Sequence, residues 1–569
     1  MDRTLTWHML LLVFSLNTVV WACPNGCLCE QDKVQCIGMS EFPTGLSSST
    51  SHFLFINCRF YFLKPDDLTS SANALSVFII KDSVLNEVRP GTFDSTPDMD
   101  TLGFIGTELQ DLPETLFQNL LRLNFLFLRM NKLNVLRPEW FSQLTELKKL
   151  ELNENLFTSV PVETFHSLTK LNYLSLASNN ISQLSRETFR GLSELKTLRL
   201  NKNMLLEFPT GSFDDLINLE ELSLQDNLIT HLDHELFSNT LKLQKLFLSQ
   251  NRLKSLPQGI FLQLPLLSQI SLYENQLESL GPGVFGPMAL KELWLYDNKL
   301  SRVDDDTFRN LTQLHLLVLS RNQISNVSTG AFRGLEQLGE ISLHTNQLNT
   351  LEAGTFQDLP RLVNISLEHN FIQSFPSDVL QGVSELGQID LHDNRLSSLP
   401  QESLDALNIA NETLLHKNPW MCDKDILPLR NWLRQHPHKV NQSLVVCETP
   451  VTLKGKGIVL LTDEDLMPFD STKEPMSTST EKRTQPNTPP VRRSTSSPAV
   501  KTTPTSEYED VTSSGQGDNG TFSKDTSIIL IIIAVISIVI ITVIVSCVCW
   551  RRKKRGKGNI DNRNKNSVL

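Results

Sequence analysis

The chain has 569 residues, 20% of them charged and 40% hydrophobic, and a net charge of −11. That length exceeds what one compact core holds, and the acidic balance excludes nucleic acid or heparin as the expected partner of the bulk of the chain. Residues 1–22 read as a secretory signal peptide. Met9 to Val20 is an apolar run of 12, too short to span a bilayer, and Val20-Trp21-Ala22 offers a cleavage site before Cys23. Cys23, Cys27, Cys29 and Cys36 follow in C-x3-C-x-C-x6-C spacing. Export favours disulfides over a zinc site, although spacing alone leaves three pairings open. Residues 23–50 are thus expected to form a cysteine cap.

From residue 51 to 417 a period of 24 residues takes over. Leu171 to Leu184 reads L-x-x-L-x-L-x-x-N-x-[IL]-x-x-L. Asparagine recurs in that frame at 131, 155, 179, 203, 227, 251 and 275, slips by one residue to 298, and resumes at 322, 346, 370, 394 and 418. Phenylalanine recurs at a second phase from Phe93 to Phe356. A period of 20–29 residues with this signature is the leucine-rich repeat. Each repeat is one short strand and a return segment, too small to bury its own apolar face, so stacking must bury it. The expected fold is an α/β leucine-rich repeat solenoid of about 15 repeats, a curved horseshoe with a parallel concave β-sheet. Cys58, Ser83 and Thr107 stand in the asparagine column of the first three repeats, which makes Cys58 a buried, free ladder residue.

The period also assigns direction. With the L-x-L residues pointing in, the residues two and four before each ladder asparagine face out from the strand. Most are polar. Phe247, Tyr273, Trp294, Tyr296 and Val318 are not, and they come from four adjacent strands. Core positions there are already filled, so the five are expected to form one contiguous binding patch, because exposed aromatic clusters mark interfaces. Beside it run His344, His392 and His416, two before their asparagines, with Glu368 and His369 between them. Histidine titrates near pH 6.5, which makes this file a candidate pH sensor.

Residues 418–450 read as a C-terminal cap. Trp420 and the helical pattern DILPLRNWLRQ pack over the last repeat, and Cys422 and Cys447 bracket the block. The span 451–526 is expected to be a disordered Ser/Thr/Pro-rich stalk, and the composition change itself begins at about Met467. Ser527 to Cys549 is 23 residues without a charge, long enough for a transmembrane helix. The basic run Arg551 to Arg555 follows directly and places the tail, 550–569, inside the cell. The topology is single-pass type I at the plasma membrane. Cys547 and Cys549 are palmitoylation candidates, and Ser567-Val568-Leu569 fits a C-terminal ligand of a PDZ-domain protein.

No catalytic, cofactor or metal-binding constellation stands out, so the chain is not read as an enzyme. Seven N-x-S/T sequons mark N-glycosylation candidates at Asn180, Asn310, Asn326, Asn364, Asn411, Asn441 and Asn519.

The segments FGPM (285–288), ELWLYDN (292–298), LSRNQIS (319–325), LHTN (343–346) and DILPLRNWL (425–433) resemble the extracellular leucine-rich repeat membrane proteins. The carboxypeptidase N large subunit and platelet glycoprotein V are broader relatives in that group. The resemblance implies disulfides Cys23–Cys29 and Cys27–Cys36. The family's usual C-terminal cap has four cysteines; here there are two, which implies Cys422–Cys447. It implies a cell-surface glycoprotein that binds extracellular matrix proteins of the collagen, fibronectin and laminin class, in adhesion or migration. The alternative is a structural or regulatory subunit that stabilises a partner in a cell-surface complex.

Overall fold

A computed structural model describes residues 23–466 apart from Pro282 and Glu385. The expected signal peptide, the chain beyond 466, the segment 527–549, the tail, Asn519, Cys547, Cys549 and the three C-terminal residues lie outside the described residues. Among the described residues no helix is long and apolar enough to cross a membrane.

One sheet of 18 strands runs the length of the solenoid. It begins with an antiparallel hairpin, Cys27–Glu30 against Lys33–Ile37, which places Cys27 opposite Cys36. Disulfides Cys23–Cys29 and Cys27–Cys36 fix this hairpin. Lys33–Ile37 then pairs in parallel with His52–Ile56, so the cap is a continuation of the sheet and covers its open edge. Each later strand pairs with the next in strict register, such as Tyr173 with Thr197 and Thr197 with Glu221. One step is shorter: Gln269 pairs with Glu292.

Two columns lock the stack. The ladder asparagines use their whole amide. Asn227 donates Nδ2–H to Leu200 O of the preceding repeat (3.0 Å) and to Leu224 O of its own (3.1 Å), while its Oδ1 accepts from Leu205 N (3.1 Å). One side chain therefore satisfies backbone groups that the strand-to-return turn strips from the sheet. The residue before the ladder position sits in the left-handed region throughout, from Met130 (φ 60°) to Lys417 (φ 55°). In the early repeats smaller groups substitute: Ser83 Oγ accepts from Cys58 N (2.9 Å), and Asn131 Oδ1 accepts from both Thr107 N and Oγ1. Cys58 is free and buried, and burial pushes its thiol pKa up. The phenylalanines form the second column. Phe213, Phe237, Phe261 and Phe285 stack at 6.0–6.3 Å, as do Phe308, Phe332 and Phe356 at 5.8–6.5 Å.

The expectation of an α/β solenoid needs correction: this is a β-solenoid. The return segments are successive turns. Left-handed residues such as Glu163, Gly191, Gly211, Asp306 and Gly334 interrupt them, and an α-helix does not tolerate that conformation. The described α-helices are α1 (Gln401–Leu407), in the last return segment, and α2 (Leu427–Gln435), in the C-terminal cap.

The C-terminal cap also extends further than expected. Helix α2 buries Leu429, Trp432 and Leu433 on the last repeat, and Trp432 Nε1 donates to Asn408 Oδ1 (2.8 Å). Trp420 is fully buried, and Cys422–Cys447 closes the block. The chain then folds back as the 3-10 turns Val451–Leu453, Ile458–Leu460 and Glu464–Leu466. Ile458 and Leu461 are buried. The nearly buried Arg430 donates to Leu461 O (3.2 Å) and pairs with Asp463 (2.8 Å). Lys456 grips Asp465 at 2.7 Å and, with Thr462, holds that carboxyl down at about 2. The expected cap boundary at 450 falls inside this packed unit. A boundary drawn after the last cysteine misses these turns, which precede the composition change at Met467.

Candidate functional site

The outward strand positions form parallel rows across the concave sheet. In one row Phe247, Ser271, Trp294 and Val318 are successive register partners. Two residues further along, Tyr273 and Tyr296 head a second row. The two tyrosine rings stack with centroids 4.6 Å apart. Trp294, 37% exposed, tilts against both at 6.5 and 6.3 Å. Of the five patch residues the sequence singles out, the structure thus joins three by ring contact and sets Val318 beside Trp294. Phe247 shares the row, with the small Ser271 standing between it and Trp294. Burial raises the Tyr296 hydroxyl pKa, followed by the neighbouring Tyr273. The Arg321 guanidinium lies 5.2 Å from the Tyr296 ring centroid and is held there by a two-pronged ion pair to Asp297, with Nε to Oδ1 at 2.8 Å.

The histidine file lies further along the second row. His392 and His416 stack at 4.4 Å, and His369 meets His392 edge-on at 4.9 Å. His392 Nδ1 lies 2.7 Å from Asp390 Oδ1, and His369 Nδ1 lies 2.8 Å from Asp393. Burial lowers the pKa of His344, helped by Arg321, and burial lowers that of His416, helped by His392. Burial raises the Glu368 carboxyl, whose Oε2 is buried without a hydrogen-bond partner among the described residues. Among the described residues no group of three or more His, Cys, Asp and Glu side chains is placed to hold a metal ion.

One further row on the same face goes unmarked by the sequence pattern. The positions six before the asparagine also point out, and they carry Phe125, Lys149 and Tyr173, with Phe127 in the adjoining row. Lys149 Nζ sits 4.5 Å from the Tyr173 ring centroid and 5.6 Å from that of Phe127. Glu151 receives Arg129 and Lys149, each at 2.9 Å. The alternation that places Trp294 outward also places these residues outward.

The sequons at Asn180, Asn310, Asn326, Asn411 and Asn441 are exposed. Asn364 differs in being half-buried; it lies in the concave strand Asn364–Ser366, between Glu340 and Gln388, and Asn411 lies in the last strand of the same sheet, Ala410–Leu414.

A leucine rich repeat profile matches residues 105–157, 145–205, 288–348, 314–372 and 336–396, and a BspA type leucine rich repeat region (6 copies) matches 182–315. Together they run unbroken from 105 to 396. The chain belongs to the leucine-rich repeat proteins. Within that family it is 40% identical over 47 residues to human leucine-rich repeat-containing protein 15, which is 8% of each chain. It is 36% identical over 58 residues to mouse SLIT and NTRK-like protein 4, covering 10% of this chain and 7% of that one. The chain therefore matches less than a tenth of the length of these curated relatives. Among solved leucine-rich repeat structures, the glycosylated Toll–Spatzle complex of Drosophila aligns with a TM-score of 0.51, at 20% identity over 77% of this chain and 72% of that chain. The LRIM1/APL1C complex aligns at 0.52, with 19% identity over 72% and 65%. These two show the shared solenoid fold.

Proposed function

We propose that this leucine-rich repeat protein is a cell-surface type I membrane glycoprotein. Its concave face binds extracellular proteins, those of the matrix among them, in adhesion or migration. The Tyr273–Trp294–Tyr296 cluster carries the reading. Every inward position of these strands is already filled by buried Leu or Ile, so the fold has no use for three outward aromatics on neighbouring strands. Preassembled rings with a fixed guanidinium beside them suit a protein partner. The secretory and membrane-spanning segments in the sequence support the location, and the match to human leucine-rich repeat-containing protein 15 supports the class. Cells displaying the full-length protein should adhere to collagen, fibronectin or laminin surfaces, and the Trp294→Ala/Tyr296→Ala variant should not. Equal adhesion by both would exclude the cluster. Recovery of one stoichiometric membrane partner without matrix binding would make the chain a structural subunit instead.

A further inference from the structure

The outward strand positions sort by charge along the solenoid. From Lys33 to Ser249 they carry six cations, Lys33, Lys81, Arg129, Lys149, Arg199 and Lys245, against two carboxylates, Glu151 and Glu221. From Gln269 to His416 they carry five carboxylates, Glu292, Glu340, Glu368, Asp390 and Glu412, and neither lysine nor arginine. None of these side chains belongs to the buried core. Internal pairing does not level the difference. In the first half each carboxylate is shared by two cations: Glu151 by Arg129 and Lys149, Glu221 by Arg199 (3.0 Å) and Lys245 (3.7 Å). In the second half Glu292, Glu340 and Glu412 are exposed, and no cation on the outward rows faces them. The sign changes between strands Lys245–Phe247 and Gln269–Ser271, at the edge of the aromatic cluster. A net acidic chain thus presents a cationic half-face that its total charge conceals.

We propose that the concave face takes a protein whose own contact surface is charge-polarised. Its carboxylates lie over Lys149, Arg199 and Lys245, its apolar centre over Tyr273, Trp294 and Tyr296, and its lysines or arginines over Glu340 and Glu412. This rests on the docking reading above and adds the chemistry and orientation of the partner. The centres of the two halves are about eight strands apart, roughly 40 Å at the spacing of neighbouring strands. The screening length in physiological salt is only about 8 Å. The two halves therefore act independently, and a partner must bring both signs at matching separation. Such complementarity fixes orientation and speeds encounter more than it raises affinity.

The test uses the full-length protein and a synthetic peptide with an Asp-rich end, a Leu/Phe centre and a Lys-rich end, carrying a photo-crosslinker at one end or the other. The acidic end should crosslink within 125–249 and the basic end within 340–416. Arg199→Glu/Lys245→Glu and Glu340→Lys/Glu412→Lys should each weaken binding roughly tenfold at low salt, with the effect shrinking as salt rises. These four side chains are exposed, and an unchanged melting temperature confirms that the variants fold. Crosslinks from both ends to both halves would overturn the proposal, as would equally tight binding of peptides with two acidic or two basic ends. A concentration-dependent dimer of the chain that both variants abolish would make the occupant a second copy, and would also overturn it. Polarised binding that survives Trp294→Ala/Tyr296→Ala would refute the aromatic centre and leave the polarity standing. Matrix binding that needs Trp294 but ignores both charge reversals would do the opposite.

Discussion

The Tyr273 and Tyr296 rings lie within 5° of parallel and 4.6 Å apart, on neighbouring strands of the concave sheet. That distance matches the strand spacing, so the sheet itself sets the stack. The rings need no reordering on contact, which removes a side-chain entropy cost of about 0.5–1.5 kcal/mol each. Trp294→Ala with Tyr296→Ala should therefore cost at least about 2 kcal/mol of binding, as central aromatic anchors do. The melting temperature should stay unchanged, because neither ring contributes to the core. Calorimetric titration and thermal unfolding of the same variant read the two effects separately.

Gly286 marks the one shortened repeat. A Cβ there would sit 2.7 Å from Leu262 Cδ1 and 3.0 Å from Leu262 Cα, and the second of these cannot move without shifting backbone. This return segment leads into the strand Glu292–Trp294. Gly286→Ala should destabilise by about 1–3 kcal/mol, in the range of overpacking. Urea unfolding checks this, and Gly191→Ala is a poor control because its φ is 80°; Gly281→Ala, whose Cβ meets only Val284 at 4.0 Å, is the better one.

Acid should loosen the C-terminal half. His344 and His416 have folded pKa values below their ordinary value of 6.5, so below about pH 6.5 the unfolded chain binds more protons and stability falls as pH falls. Glu368 has a folded pKa above its ordinary 4.5. Just above pH 4.5 its folded form holds the extra proton, and stability there rises as pH falls. From pH 7.5 to 5.5 the histidines should prevail. His344→Gln/His416→Gln should shrink the drop in melting temperature, by an amount on the order of a degree or two. An unchanged pH profile would remove the file as a sensor.

Leu461 tests where the C-terminal cap ends. It is fully buried and its carbonyl receives both Arg430 and Arg434. Leu461→Ala should cost about 2–4 kcal/mol, the usual range for a buried leucine. A residue in a stalk would cost nothing, and thermal melts distinguish the two.

Asn364 is a half-buried sequon in the concave strand Asn364–Ser366, beside Glu340. Asn364→Gln should remove one glycan from the secreted ectodomain, read by mass spectrometry, and should increase access to Glu340 and the histidine file beyond it. Removing Asn441, which lies in the cap, should leave ligand binding alone.

Much of this architecture is legible because the stacking physics repeats. Thirteen asparagines in register specify a repeated turn, and the alternation of Leu293 and Leu295 with Trp294 and Tyr296 specifies which side of the sheet is free. Where repetition stops, legibility falls. The turn-built return segments depend on left-handed residues such as Glu163 and Asp306, which carry no glycine to announce them. The cap's last turns depend on Arg430 reaching a carbonyl 31 residues away, which no local pattern encodes. The charge split needs the sheet, because Lys149 and Arg199 are 50 residues apart in the chain and two strands apart in space.

The ladder has a direction. Each asparagine binds a carbonyl of the repeat before it and accepts from that repeat's backbone, as Asn227 does with Leu200 and Leu205. Each repeat is therefore completed by the one that follows: Leu200 O and Leu205 N gain their side-chain partner only when Asn227 arrives. At roughly 5–20 residues per second a new repeat emerges from the ribosome every few seconds, and the turn that seats it is waiting. The cysteine hairpin at the start supplies the first edge, on which His52–Ile56 pairs, so the solenoid can grow vectorially from an end that two disulfides close.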